Sequence, residues 1–243
     1  MRPFLFYELV RLTCKLNKEE KKMKKNLTEL VFILDRSGSM GGKEDDVIGS
    51  FNSTLNEHKK ENVLVTTVLF NDNMETVHDR VDIKEIKDMT RDDFVVSGCT
   101  ALIDALGSTI VHIKDIHKYA RKEDVPNRTL FAIMTDGLEN ASHKYSSDEV
   151  KKMVEAQKEK GWDFLYLAAN IDAVETAKQY GISEDMAINY HNDRKGIRNA
   201  SKAVGNVMNI YASLEDSETL TDSAVFKSKK WRKEADKDFE ERK

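Results

Sequence analysis

The stretch Val31–Met40, VFILDRSGSM, decides how this chain is read. Its first half is a continuous apolar run of the kind that a parallel sheet buries on both faces. Its second half breaks at once into a carboxylate, an arginine and a Ser-Gly-Ser turn. Asp35, Ser37 and Ser39 stand at alternate positions, and alternate side chains of an extended segment point the same way. One charge and two neutral hydroxyls are therefore expected to converge just past the end of a buried strand.

Working outward, strand and helix signals alternate. Residues 43–60 are amphipathic, with Val47, Phe51 and Leu55 at helical spacing. NVLVTTVLF (62–70) is a β-branched strand, and METVHDRVDI (74–83) alternates as an exposed edge strand does. A long helix is expected from Thr100 to Ala120, a buried strand at RTLFAIMTD and a helix from Ser146 that ends at Gly161. WDFLYLAAN is a further buried strand, followed by a short helix closed by Gly181, a last strand at MAINYH and a final helix over 194–214. Such alternation implies right-handed crossovers and a mostly parallel sheet covered on both faces. The fold class is α/β: a Rossmann-like, doubly wound sheet.

Composition sets the limits of function. The 243 residues are 40% hydrophobic, enough for one substantial core. The net charge of -4 is unevenly spread: residues 1–25 carry about eight basic against three acidic groups, and residues 219–243 about eight against six. The body between them is near -11, a poor surface for a phosphate backbone, so nucleic acid is not the expected partner. Three regions follow: a basic leader over 1–25, for which Met23 is a plausible later start, a folded domain over 26–215, and a charged, aperiodic tail over 216–243. The two cysteines, Cys14 and Cys99, are too few for a disulfide framework. Glu8 and Arg11 interrupt the apolar opening before a signal core forms, and no run reaches the roughly 18 to 20 apolar residues of a membrane span. The expected location is cytoplasmic.

In open parallel sheets, ligands gather at the C-terminal ends of the strands, where strand order reverses. Three segments bring polar oxygens there: Asp35, Ser37 and Ser39 after the first strand, Thr100 at the opening of the long helix, and Asp136 after RTLFAIMT. Two carboxylates and three hydroxyls are hard donors that suit Mg²⁺ or Mn²⁺ and not zinc. Mg²⁺ prefers octahedral geometry at about 2.1 Å and keeps waters. Neutral serines at 37 and 39 hold such an ion without satisfying it.

DRSGSM, then Thr100 in GCTAL, then Asp136 in TDG, in this order on these elements, resembles a von Willebrand factor type A domain with a complete metal-ion-dependent adhesion site. The resemblance covers roughly residues 28–212, and the FN, VTTVLF and TDGLENAS stretches are similar to those of intracellular bacterial and phage members. It implies a sheet with one antiparallel edge strand. It also implies metal ligation by Asp35, Ser37, Ser39, Thr100 and Asp136, some through water, and an open metal position that accepts an Asp or Glu carboxylate from a protein partner. The chain departs from the extracellular adhesive members in lacking a signal core and a flanking cysteine pair.

Plainer roles stand beside these. Thr100 alone reads as a helix cap, and Asp136 alone as a turn residue. Glu139 and Asn140 read as solvated loop, Asp172 as a cap, Asn170 as a weak rim residue, Asp104 as a structural hydrogen-bond acceptor and Cys99 as a small turn residue. The histidines, His112 and His117 among them, show no ligand spacing. The expected function is a non-enzymatic, metal-dependent protein-interaction module. The alternative is a Mg²⁺-dependent phosphohydrolase, although Ser37 stands where a second, acid/base Asp is needed. An adaptor working without metal is a third reading. Neither phosphate-cradling glycine motif follows the first strand.

Overall fold

The computed structural model describes residues 27–215 and 218–242. The basic leader, with Cys14 and Met23, lies outside the described residues. Six strands form one sheet in the order β3-β2-β1-β4-β5-β6. They are β1 Thr28–Asp35, β2 Val63–Phe70, β3 Met74–Asp82, β4 Arg128–Thr135, β5 Trp162–Ala169 and β6 Ala187–Tyr190. β3 pairs antiparallel with β2, and every other pairing is parallel. The α/β class and the single antiparallel edge thus match the expectation. β1, β4 and most of β2 and β5 are buried along their whole length, as their near-continuous apolar runs require, whereas β3 is partly exposed and alternates.

The helices are α1 Glu44–Glu57, α2 Leu102–Tyr119, α3 Ser147–Lys158, α4 Ala173–Gln179, α5 Arg194–Ser213, α6 Ala224–Lys227 and α7 Lys233–Glu241. α1 packs on α5, and α2 on α3. α3 begins with a capping box, Ser146 and Glu149 satisfying each other's backbone N–H groups. Asp172 caps α4 by accepting from Val174 and Glu175 N–H, the role its position suggests.

The C-terminal segment differs from the aperiodic tail expected from sequence. Leu220, Phe226, Trp231 and Ala235 are all buried in the main core, and α7 packs against β6 and α5. Phe226 and Trp231 stack at 5.2 Å. The apolar anchors are few and widely spaced among charged residues, so no helical period stands out, yet Leu220, Phe226 and Trp231 are buried. Burial of a single large apolar side chain is worth about 1.5–3 kcal/mol, enough for a handful to dock a charged segment.

Strand order reverses between β1 and β4. Strand β1 leads through α1 to β2 on one side, and the chain later returns to β4 on the other. The C-terminal ends of these two central strands form the crevice in which such sheets bind ligands.

Candidate metal centre

Asp35 ends β1 and Asp136 follows β4, so the switch point places two carboxylates side by side. Both are 1% exposed. The chain does not remain extended after Asp35. Ser37 N–H turns back to Asp35 Oδ1 at 2.7 Å, and Gly38–Met40 form a 3₁₀ turn. Convergence of the hydroxyls therefore comes from an Asp-initiated turn and not from strand alternation. Ser37 Oγ lies 3.1 Å from Ser39 Oγ, and Ser39 Oγ donates to Asp136 Oδ1 at 2.5 Å. A continuous hydrogen-bonded path of side chains thus runs from the β1 turn to the end of β4.

Thr100 reaches the same opening from a third loop. A side chain begun at Gly137 would start 3.6 Å from Ser39 Oγ and 3.7 Å from Thr100 Oγ1, so Gly137 keeps that space clear. Thr100 is not a helix cap, contrary to its reading alone. α2 starts at Leu102 with no side-chain cap from its own N-terminal residue. Its first N–H groups are served by the β4–α3 loop instead: Ile103 N donates to Glu139 Oε2 and Asp104 N to Ser142 Oγ. Thr100 N donates to Asn140 Oδ1, and Asn140 N to Thr100 O.

Glu139 is therefore no solvated loop residue. It also accepts from the N–H groups of Ala141 and Ser142 and from Ser142 Oγ. Asp104 accepts from the N–H groups of His143, Lys144 and Tyr145, the structural role expected of it. Asn170, at φ 60, donates to the backbone oxygen of Asp136. Cys99 is exposed, and its N–H donates to Asp72 Oδ1. The Asp72 carboxylate pushes the Cys99 thiol pKa up, away from a reactive thiolate. Gly98, at φ 73, is required here, because a Cβ would fall 2.1 Å from Asp72 Oδ2.

Three neighbours escaped the sequence reading. Thr135 Oγ1 donates to Asp35 Oδ2 at 2.6 Å, Asn192 Nδ2 donates to Asp136 Oδ2 at 2.6 Å, and Tyr190 Oη donates to Thr135 O. Thr135 was hidden inside a strand signal. Asn192 carried one usable signal, a polar residue just past the last parallel strand at the same sheet edge.

The electrostatics point one way. Burial raises the Asp35 pKa, hydrogen bonds from Ser37 and Thr135 oppose the rise, and the nearby Asp136 charge adds to it. Among the described residues no basic side chain pairs with Asp35 or Asp136, and the adjacent Arg36 turns away to Glu75 at 2.7 Å. Also among the described residues, no three His, Cys, Asp or Glu side chains form a metal-type cluster. Two buried, uncompensated carboxylates edged by neutral oxygens fit a hard divalent cation.

Comparison with protein-family models and with curated protein sequences returns no match. Solved structures do match. The vWF domain of the type V pili tip protein Mfa5 from Porphyromonas gingivalis superposes with a TM-score of 0.56 at 10% identity, over 79% of this chain and 97% of that one. The pilus adhesin SpaC from Lactobacillus rhamnosus GG gives 0.56 at 11%, over 76% of this chain and 30% of that one. The PilB minor pilin from Streptococcus sanguinis gives 0.54 at 10%, over 77% of this chain and 62% of that one. The chain thus spans about three fifths of the minor pilin's length and under a third of the adhesin's. At these identities the likeness is one of fold, and the fold is of the von Willebrand factor A type.

Proposed function

We propose that this protein is a cation-dependent protein-interaction module and not an enzyme. The observation that carries the reading is the pair of buried carboxylates, Asp35 and Asp136, joined through serine hydroxyls and without a basic partner among the described residues. In this reading Asp35, Ser37, Ser39, Thr100 and Asp136 hold Mg²⁺ or Mn²⁺, directly or through water. The bound ion supplies Lewis acidity at an open position suited to a carboxylate from a partner's Asp or Glu. Ser37 and Ser39 contribute no charge, so the cation keeps affinity for that incoming anion. Thr135 and Ser37 N–H fix Asp35, and Asn170 fixes the Asp136 backbone. The adhesin and pilus-tip names of two structural neighbours support such a use of the fold.

Ser37 stands two residues after Asp35, where a phosphohydrolase of this kind needs a second, acid/base Asp, which disfavours that alternative. Among the described residues no helix is long and apolar enough to cross a membrane. A cytoplasmic setting is part of the proposal, on the ground of the low cysteine count.

The test is a pull-down from native cell extract with Mg²⁺, with chelator, and with Asp35→Ala protein. A partner retained only in the first condition supports the reading. Partners unchanged across all three overturn it. Phosphate-ester turnover that is lost in Asp35→Ala would overturn it in favour of the hydrolase.

A further inference from the structure

Asp136 is held from a direction that the five-residue donor set leaves out. Its Oδ1 accepts from Ser39, and its Oδ2 accepts from Asn192 Nδ2 at 2.6 Å. Each carboxylate oxygen has two lone pairs, so Asn192 fixes the plane of the carboxylate and still leaves Oδ2 a free lone pair. The other end of the same amide, Asn192 Oδ1, is buried without a hydrogen-bond partner among the described residues. A buried amide oxygen left unpaired costs free energy, and its position one amide away from Asp136 places an unused acceptor beside the carboxylate.

Asn192 lies on the loop between β6 and α5, and the C-terminal segment grips that loop on both sides of it. Before it, the His191 ring packs against Phe239 at 5.0 Å, with Nε2 3.3 Å from Phe239 O. After it, Asp193 caps α5 through Gly196 N–H and pairs with Arg242, which also pairs with Asp238. Lys195 reaches Asp238 at 2.6 Å. The Arg242 guanidinium holds the Asp193 carboxyl below its ordinary pKa, so the pair is charged throughout the neutral range.

We propose that Asn192 is a positioning residue of the cation site, orienting Asp136 and offering its free amide oxygen to a water on the hydrated ion. The α7 segment clamps Asn192 in place through His191–Phe239 and Asp193–Arg242. The inference rests on the cation reading of Asp35 and Asp136, and it adds a sixth residue and a C-terminal support to that site. A hydrogen-bond partner of a ligating carboxylate typically tunes metal affinity by 10- to 100-fold.

The experiment is Mn²⁺ titration by calorimetry on the full chain, with thermal melts in Mn²⁺ and in chelator. It compares wild type with Asn192→Ala, Asn192→Asp, Arg242→Ala and Asp136→Ala. Asn192→Ala should weaken Mn²⁺ by about tenfold or more, and Arg242→Ala should weaken it less, in the same direction. Asn192→Asp sets a third carboxylate against Asp136. Its metal-free melting point should fall, and its Mn²⁺-induced rise should exceed that of wild type, which a role in loop packing alone does not produce. Wild-type Mn²⁺ affinity in Asn192→Ala, with binding lost in Asp136→Ala, overturns the inference and leaves the cation reading intact. Absence of Mn²⁺ binding by the wild type overturns that reading and the inference with it. An unchanged affinity in Arg242→Ala overturns the clamp.

Discussion

Strand β1 carries a buried carboxylate near each end, and the two are treated in opposite ways. Glu29, at the start, is 0% exposed and meets two basic groups: Arg80 Nε donates to Oε1 at 2.7 Å, and His117 Nε2 lies 2.5 Å from Oε2. The sheet is distorted to make this possible. The β2–β3 register shifts around Thr67, and Arg80 adopts a φ of 52 while its N–H donates to Thr66 Oγ1. Asp35, at the other end, is just as buried, but among the described residues it meets the Ser37 N–H and hydroxyl, the Thr135 hydroxyl and the neighbourhood of a second carboxylate, and no basic group. A protein that builds a strained bulge to neutralise one end of a strand leaves the other end uncompensated. In the proposed reading, the difference separates a charge kept for structure from one kept for an exchangeable cation.

The strongest way to break that contrast is at the paired end. Glu29→Ala strands Arg80 and His117 beside a buried sheet and should cost about 3–5 kcal/mol in urea denaturation. A loss below about 1 kcal/mol would mean that the two bases simply swing into solvent and that Glu29 is no structural anchor. The next effect belongs to the unpaired end. Mn²⁺ at a hundred times its Kd should stabilise the fold by about 2.7 kcal/mol. For a chain of this size that is about 5–10 °C in Tm, and Asp35→Asn should abolish the rise. Equal melting in Mn²⁺ and chelator would place the two ends of β1 in the same class after all.

How much of this could be read from sequence follows from the range of each interaction. The strands and helices were legible because their apolar periods are local, and DRSGSM, Thr100 and Asp136 stand out as candidates because each follows a strand or precedes a helix. The turn that converges the serines was not, since Ser37 N–H returning to Asp35 Oδ1 looks the same in sequence as a strand that continues. Glu139 and Thr100 exchanged roles for a similar reason. A cap supplied from 36 residues away, Glu139 to Ile103 N–H, leaves no local spacing to find. Asn192 and Arg242 are 50 residues apart in the chain and act together only because α7 docks on β6. The Glu29–His117 pair spans 88 residues and was equally invisible.

Asp163 is an intermediate case that sharpens the contrast. It accepts from Tyr211 Oη at 2.5 Å, and burial raises its pKa to about 6 against the lowering influence of Tyr211, Lys158 and Arg128. A folded pKa above the unfolded one means that the native state holds the extra proton between about pH 4 and 6. This carboxyl costs nothing below about pH 4 and destabilises the fold as pH rises through 6. Asp163→Asn should therefore be more stable than wild type at pH 7.5, on the order of 2 kcal/mol. The advantage should vanish by about pH 4 in paired denaturation curves. A difference independent of pH would assign it to packing instead.

The smallest expected effect discriminates most sharply between the two ends of β1. In chelator at pH 7.5, Asp35→Asn should be as stable as wild type or about 1 kcal/mol more stable, the ordinary scale of a single substitution but with the opposite sign to most. The asparagine oxygen still accepts from Ser37 N–H. Its amide can donate to Thr135 Oγ1, whose own proton then turns to Gly137 O, 3.3 Å away. Shape and hydrogen bonds survive while a buried, unpaired charge beside Asp136 disappears. In Mn²⁺ the order should invert, because only the wild type gains the cation. Glu29 offers no such inversion, since its partners are covalently part of the fold and Glu29→Gln loses stability in either buffer. A crossing of the two stability rankings at Asp35, with none at Glu29, is what a site built for an exchangeable cation requires. Parallel rankings would make Asp35 a second structural carboxylate, held by Thr135 and Ser37 alone.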